Sequence, residues 1–370
     1  MEQIIPVMDS NMQHIENIIV GLGIAGVNLC HQLEKAGRSF VVIDRCPTNS
    51  SSLIAGGIYN PIALKRKIKS WKVDALFPVL TENYRELEVK LNSSFLLHPF
   101  PILKPIFSEH EITEWQQAVD DGRLLPYVDS VQKTAPKGPF QKNVIGSVTI
   151  KNSGFIRVEK LLLDYRKHLM QKELLINLAF EHSLLERDVT SVRYAGITAD
   201  RIIYCEGRFI SENPFFNWIP FKPTKGQMLT VKTDASLSPN QIYNQQFLLF
   251  PTEQEHVFRL GATYDWDNID EIPTAEATEE LLGKVEKALD IKLEVLEENA
   301  AVRPTVSDRR PVIGQHPEVN NAFLFNGMGT KGVMLAPYFA KQLVEHIYSG
   351  APIDAEANLQ RFMRKHYKKA

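Results

Sequence analysis

The first fifty residues contain a strand, a glycine-rich turn, a helix and a second strand, in that order. Residues 15–20 form a short run rich in β-branched side chains, and Phe40–Asp44 is a second apolar run of the kind found in buried strands. Between them, residues 27–35 have the periodicity of a helix, which Gly37 ends. This order predicts a βαβ unit.

The middle of the chain combines helical patterns with strands. Amphipathic helices are predicted over residues 71–91, interrupted early by a proline, and over residues 159–171. Residues 99–146 contain recurring prolines and favour short alternating strands in a region inserted outside the nucleotide-binding fold. Residues 198–205 predict another buried strand.

The C-terminal half has the pattern of an antiparallel sheet followed by one more strand, turn and helix. The predicted elements are strands at residues 225–233, 246–251 and 257–264, a helix at 278–288, the strand Ala322–Asn326 and a helix at 333–348.

These elements predict an α/β chain, α+β overall, with a Rossmann-like FAD/NAD(P)-binding domain and an inserted antiparallel-sheet substrate domain. Two glycine turns between a strand and a helix, near opposite ends of the chain, suggest that the nucleotide domain is discontinuous. We assign residues 15–70, 150–215 and 303–370 to this domain, and residues 71–149 and 216–302 to the substrate domain.

Gly21, Gly23 and Gly26 form a GxGxxG turn between the first strand and helix. In such a turn the glycines permit a tight bend, a close approach to a pyrophosphate and close packing of helix on strand. The N-terminus of the helix then faces the phosphate charge. Asp44 ends the next strand and is expected to accept hydrogen bonds from both ribose hydroxyls. An acid there argues against NADP, but the motif does not separate NAD from FAD, and a plain glycine turn is the alternative interpretation.

Composition narrows the classes of function only slightly. The net charge is −2, which does not favour a general affinity for nucleic acid or acidic membranes. Cys30, Cys46 and Cys205 lie far apart, which argues against a disulfide scaffold or a metal cluster and favours a reducing, cytoplasmic location. No apolar run approaches the roughly 20 residues that span a bilayer. Residues 1–11 are expected to be a disordered tail or to lie upstream of the true start.

Six later segments, in their order and spacing, resemble the D-amino-acid-oxidase family of flavoproteins. The segments are SSLIAGGIYNP at 51–61, DRIIYCEG at 200–207, KGQ at 225–227, LGATY at 260–264, AVRPTVSDRRPVIG at 301–314 and FNGMGTKGV at 325–333. The sequence resembles glycine and sarcosine oxidases, and equally the FAD domain of the bifunctional bacterial enzyme that trims carboxymethylaminomethyl-uridine in tRNA.

The resemblance implies FAD as the cofactor, held noncovalently, because no cysteine lies near the C-terminal turn where covalent members of the family attach it. The residues expected to contact FAD are Gly21, Gly23, Ile24, Ala25, Gly26, Asp44, Arg45, Ser51, Ser52, Ala55, Gly56, Gly57, Gly207, Gly327, Met328, Gly329, Thr330, Lys331, Gly332 and Val333.

Arg303 matches the family's carboxylate-binding arginine, whose guanidinium can grip a carboxylate through two parallel hydrogen bonds. Lys331 is expected to add positive charge on the N1/C2 side of the flavin, although a solvated surface lysine is the alternative. Leu248 stands where the glycine oxidases have a tyrosine. Tyr264, Tyr243 or Tyr59 are the candidates for the missing hydroxyl, although packing is the more common role of such a tyrosine.

Three functions are compatible with these residues. The first is oxidation of the C–N bond of a small carboxylated amine, glycine-like, N-substituted or a D-amino acid, with O2 or an electron carrier as acceptor. The second is tRNA wobble-uridine processing, although the basic run at residues 65–69 is most simply a solvated loop. The third is a flavin-binding subunit of a heteromeric amine dehydrogenase without activity of its own.

Overall fold

The computed structural model describes residues 14–47 and 49–367, so the expectation for residues 1–11 lies outside the described chain. In chain order, the strands are β1 His14–Val20, β2 Phe40–Asp44, β3 Ile58–Tyr59, β4 Ile62–Ala63, β5 Ile68–Lys69, β6 Leu96–Leu97, β7 Ile102–Ile106, β8 Val131–Gln132, β9 Gly146–Ile150, β10 Gly154–Ile156, β11 Leu175–Asn177, β12 Glu186–Arg187, β13 Val192–Tyr194, β14 Ile197–Tyr204, β15 Thr224–Lys232, β16 Ile242–Asn244, β17 Leu248–Pro251, β18 Val257–Gly261, β19 Glu294–Arg303, β20 Val312–Gln315 and β21 Ala322–Asn326.

The α-helices are α1 Ile24–Lys35, α2 Ser51–Ile54, α3 Val73–Leu91, α4 Glu109–Asp120, α5 Val158–Gln171, α6 Ala275–Glu286, α7 Gly332–Ser349 and α8 Met363–His366. None of these helices, within the part of the chain that the structure describes, is both long enough and apolar enough to cross a bilayer.

The first large sheet has the parallel centre of a nucleotide-binding fold. Its order is β11-β2-β1-β14-β13-β12, and β21 also pairs with β14 and with β20. The pairs β11/β2, β2/β1, β1/β14 and β14/β21 are parallel, whereas β12, β13 and β20 are added antiparallel. The central strands are buried on both faces, as expected for parallel strands that helices cover. The predicted α/β class is confirmed.

The second large sheet contains the predicted antiparallel strands. Its order is β19-β15-β18-β17-β16-β7-β9-β8, and the neighbours are antiparallel except for β16 and β7. Since the strands of the two sheets come from alternating stretches of the chain, we retain the domain boundaries given above as a proposal.

Two elements between the predicted strands differ from expectation. Residues 109–120 form α4, where short strands were predicted, and Ser108 begins this helix by accepting a hydrogen bond at Oγ from the Glu111 amide (3.2 Å). A serine followed three residues later by a glutamate is the sequence signature of such a start. The helix α3 continues through Pro78 without a break, and the proline leaves it one backbone hydrogen bond short, because proline has no N–H.

Candidate active site

A cavity of about 440 Å³ lies where the two large sheets meet. The turns that follow β1, β2 and β14 line it from the first sheet, together with α2 and the turn before α7. The strands β15, β17 and β19 line it from the second sheet. The carboxyl ends of parallel strands are the usual position of a nucleotide in this kind of sheet.

The GxGxxG turn is packed so tightly that its third glycine cannot be replaced. A β-carbon added at Gly26 would overlap the carbonyl oxygen of Gly21. Gly23 faces the hydroxyl of Ser52, which also accepts a hydrogen bond from the Ile24 amide (3.1 Å). The first residues of α1 line the cavity, as an anion site at a helix N-terminus requires.

The carboxylate of Asp44 is held by three donors of the chain itself. Its Oδ2 accepts from the Leu22 amide (2.7 Å), and its Oδ1 accepts from the Cys46 amide (2.7 Å) and from Arg166 (2.9 Å). A carboxylate offers about four acceptor positions. About one is left for a ribose hydroxyl, fewer than the two that the sequence suggested.

Arg166 was not foreseen from the sequence. It lies on α5, 122 residues from Asp44, and also lines the cavity. Phe209 also lines the cavity and was not predicted from the sequence. The guanidinium carbons of Arg45 and Arg208 lie 4.2 Å and 4.1 Å from the centroid of its ring. No local pattern distinguishes the contacts of Arg166 with Asp44 and of Arg45 with Phe209, since both join segments that are distant in sequence.

Most of the predicted cofactor residues surround one space. Seventeen of them line the cavity: Gly21, Gly23, Ile24, Ala25, Asp44, Arg45, Ser51, Ser52, Ala55, Gly56, Gly57, Gly207, Met328, Gly329, Thr330, Gly332 and Val333. Gly26, Gly327 and Lys331 are absent from that lining, which consists of described residues only. At Gly26 and Gly327 a side chain would collide with neighbouring parts of the chain, so both positions require glycine for packing.

Lys331 directs its ammonium group away from the lining. Its Nζ lies 3.3 Å from the hydroxyl of Ser70. Burial, followed by the positive charges of Arg310 and Arg66, lowers the pKa of this ammonium. Its expected role beside the flavin stays a prediction.

Arg303 ends β19 and directs its guanidinium into the cavity. Its hydrogen bonds are long and go only to backbone carbonyls, those of Lys225 (3.3 Å) and Thr263 (3.3 Å). Within residues 14–47 and 49–367 it forms no ion pair with a carboxylate. Burial lowers its pKa. A half-buried cation without a counter-ion is suited to receive an anion.

Tyr264 is the one predicted tyrosine that the cavity lining, as far as the chain is described, includes. The Arg303 guanidinium lies over its ring at 4.7 Å. Tyr59 and Tyr243 are buried elsewhere, where they bond to Leu97 and Ser238 respectively. Leu248 lines the cavity, so an apolar side chain occupies the position where the glycine oxidases were expected to place a hydroxyl.

The residues that line the cavity fit a dinucleotide. The glycine turn at residues 21–26 and the start of α1 are suited to bind a pyrophosphate, and Asp44 is suited to bind a ribose. The start of α7 faces the same cavity. From this turn the cavity continues to Arg303 at the end of β19 and to Tyr264 in the segment after β18.

Comparisons with known proteins find similar sequences and a similar fold. The family model described as FAD dependent oxidoreductase (DAO) matches residues 17–346. A glycine oxidase of Pseudomonas aeruginosa is 22% identical over 91% of this chain and 95% of that protein. The tRNA 5-methylaminomethyl-2-thiouridine biosynthesis bifunctional protein MnmC of Leptospira interrogans is 22% identical over 93% of this chain, which spans 59% of that protein. The glycine oxidase structure from Geobacillus kaustophilus has a TM-score of 0.74 at 17% identity, covering 92% of this chain and 96% of that one.

Proposed function

Because the chain belongs to the DAO family of FAD-dependent oxidoreductases, we propose that it oxidises the C–N bond of a small carboxylated amine. The substrate class that we propose is glycine-like: an N-substituted glycine, glycine itself or a D-amino acid. The acceptor that reoxidises the cofactor is O2 or an electron carrier.

The single observation behind this substrate class is the unpaired guanidinium of Arg303. Its three long hydrogen bonds go to two backbone carbonyls and leave the other N–H donors of the guanidinium without a partner among the described residues. A substrate carboxylate would supply the missing counter-charge and would be gripped in a defined orientation. Holding the reacting carbon in one orientation is worth several kcal/mol of the barrier.

Bound FAD supplies the acceptor for a hydride that leaves the carbon next to the nitrogen. The chain's own contribution is binding and orientation. The GxGxxG turn and Asp44 would hold the pyrophosphate and ribose, and Arg303 would hold the substrate. Leu248 and Phe250 give the lining apolar surface, which excludes water and strengthens the interaction of Arg303 with an anion.

We also propose that the turn into α7 stabilises the negative charge that reduction adds to the flavin. Its amides and the helix dipole favour such charge, and Lys331 would add a cation from behind the turn. Replacing Lys331 with methionine is then expected to lower the midpoint potential of the bound cofactor. An unchanged potential would assign Lys331 to its contact with Ser70 alone.

The proposed function is tested by anaerobic flavin bleaching with matched pairs of amines. Glycine and sarcosine are compared with methylamine and dimethylamine, which lack the carboxylate. We expect bleaching by members of the first pair only, and its loss in Arg303→Met. The exposed neighbour Arg309, replaced by methionine, is the control. FAD-loaded protein that no carboxylated amine bleaches would overturn the proposal.

A second candidate is oxidative processing of a carboxymethylaminomethyl side chain on a tRNA wobble uridine. It is supported by the similarity to the bifunctional protein of Leptospira interrogans, which extends over most of this chain. Of the basic run, Lys67 and Lys69 form ion pairs with Glu114 and Asp74, which reduces the charge available to RNA. Comparing the modified nucleosides of a wild-type and a deletion strain tests this candidate, and identical profiles exclude it.

A further inference from the structure

The strands of the second sheet contribute one charged side chain to the cavity lining, as far as the chain is described, and it is that of Arg303 in β19. The other lining residues of these strands are glycine or apolar, and Met228 of β15 and Leu248 of β17 are among them. Glu271 also lines the cavity, from the segment between β18 and α6, but it pairs with Arg208 at 3.0 Å. On this side of the cavity a ligand therefore meets one cation beside an apolar surface.

Met228 and Leu248 lie beside the guanidinium of Arg303 on the same face of the sheet. The guanidinium occupies the space over Gly226, and Met228 follows two residues later in β15, about 7 Å away on the same face. Gly261 of β18 pairs with Met228 on one side and with Leu248 of β17 on the other. A β-carbon added at Gly261 would overlap the sulfur of Met228. The Met228 side chain therefore fills the space over Gly261, between β15 and β17.

Phe250 extends this surface to the segment that is expected to contact FAD. It follows two residues after Leu248 in β17, so the two side chains point to the same face of the sheet. A β-carbon added at Gly56 would lie 2.9 Å from Cζ of Phe250 and 3.6 Å from Cε of Met228. We call Met228, Leu248 and Phe250 the apolar wall, which extends from the predicted carboxylate anchor to a residue expected to contact FAD.

We propose that the apolar wall restricts the substrate to carboxylated amines whose substituent is aliphatic and uncharged. The inference rests on the proposed function, because it places the substrate carboxylate on Arg303. A substituent on the nitrogen, or on the carbon that carries the carboxylate, then comes within reach of Met228 and Leu248. An aliphatic substituent there leaves water, which favours binding. A second carboxylate in the same place would lose its water without meeting another cation on these strands, as far as they are described.

Leu248 is the specificity-determining residue of the apolar wall. Met228 and Phe250 are only 7% and 4% exposed, whereas Leu248 is half-buried and offers more open surface to a substituent. The substrate class is then N-alkylglycines or aliphatic D-amino acids. Iminodiacetate and the acidic D-amino acids, which carry a second carboxylate, are disfavoured.

The selectivity is tested first with two carboxylates that have no C–N bond to oxidise. Pentanoate and glutarate are equally long, and a terminal methyl group in the first is replaced by a second carboxylate in the other. FAD-loaded enzyme is titrated with each at about pH 8, where both carboxyl groups of glutarate are ionised, and the change in the flavin spectrum is followed. We expect pentanoate to bind at least about tenfold more tightly. Glutarate binding as tightly as pentanoate would overturn the inference.

Replacing Leu248 with arginine should reverse this preference, because the new guanidinium can pair with the second carboxylate. If Leu248→Arg does not retain FAD, Leu248→Gln is titrated instead, and its amide should lower the preference for pentanoate by about threefold or more. The control is Leu163→Arg, since Leu163 is 51% exposed on α5 and is not among the described residues that line the cavity. It should leave the preference unchanged. A preference that also stays unchanged in the Leu248 variants would overturn the role of Leu248.

Flavin bleaching by matched amines separates this inference from the proposed function. N-ethylglycine is compared with iminodiacetate, and D-2-aminobutyrate with D-aspartate, so that each pair again exchanges a methyl group for a carboxylate. We expect the first member of a pair to bleach FAD at least about tenfold more efficiently. Equal bleaching within the pairs rejects the selectivity and leaves the proposed reaction in place. Tighter binding of pentanoate than of glutarate, without bleaching by any of the four amines, rejects the proposed reaction and supports the selectivity.

Discussion

The guanidinium of Arg303 fills the space in which a side chain at Gly226 would lie. The two residues belong to the paired strands β19 and β15, and a β-carbon added at Gly226 would overlap the Cζ and both Nη atoms of Arg303. Because Gly226 has no side chain, the guanidinium of Arg303 can occupy this space, where we predict that it binds the substrate carboxylate.

Replacing Gly226 with alanine should displace that anchor while leaving the fold and the cofactor in place. Charged hydrogen bonds contribute about 1.5–3 kcal/mol each, so we expect the half-saturating concentration of sarcosine to rise 10- to 100-fold. The measurement is anaerobic flavin reduction at several substrate concentrations. Gly283→Ala is the matched control, because nothing lies within 4 Å of a β-carbon at that helical position. An unchanged half-saturating concentration would show that Arg303 does not bind the substrate.

Replacing Gly26 with alanine should remove the cofactor. The added methyl group would overlap the carbonyl oxygen of Gly21 and push α1 away from β1, which disrupts the expected pyrophosphate site. We expect FAD to bind at least about tenfold more weakly, which corresponds to a loss of 1.4 kcal/mol, and the purified variant to contain less FAD than the wild type. Flavin absorbance relative to protein absorbance measures this ratio. Full FAD content would exclude the turn as the phosphate site.

Replacing Arg166 with methionine should destabilise the protein and weaken FAD binding together. Asp44 would keep its charge with only two amide donors, while its side chain is only 10% exposed. Removing one partner of a buried ion pair costs about 3–5 kcal/mol. Thermal unfolding with and without added FAD measures both effects.

The control for this prediction is Arg193→Met. Arg193 pairs with Glu186 at 3.5 Å, and both side chains are exposed. Loss of an exposed pair changes the unfolding free energy by at most about 1 kcal/mol. Equal effects of the two replacements would contradict a special role of Arg166.

The unfolding free energy should fall as the pH decreases from about 6.5 to about 4, because of His31. Burial, followed by the Lys90 ammonium 3.1 Å from Nδ1, lowers the pKa of His31 to about 4. Below pH 6.5 the unfolded chain binds a proton that the folded chain excludes, so stability is lost until the folded pKa is passed. The loss amounts to about 3 kcal/mol.

Urea unfolding of the wild type and of His31→Gln at pH 7, 5.5 and 4 measures this effect. We expect a shallower pH dependence in the variant. His110→Gln is the control, because that side chain is almost fully exposed. Parallel curves for the wild type and His31→Gln would rule out His31 as the cause.

The local sequence patterns of the chain were sufficient to predict the nucleotide-binding half of the site. The βαβ unit, the GxGxxG turn and Asp44 depend on periodicity and on glycine geometry within a short stretch, and the structure has them where they were predicted. The helix α4 was missed, although its Ser-x-x-Glu start was visible in the sequence.

Only the tertiary structure decided the contacts between segments that lie far apart in the chain. The pairing of Arg166 with Asp44, the space that Gly226 leaves for Arg303, and the contact of Arg303 with Tyr264 all depend on how the two sheets and their loops are placed. The sequence by itself determined which residues could do chemistry. Their partners were decided by folding, because packing of distant elements leaves no period or spacing along the chain.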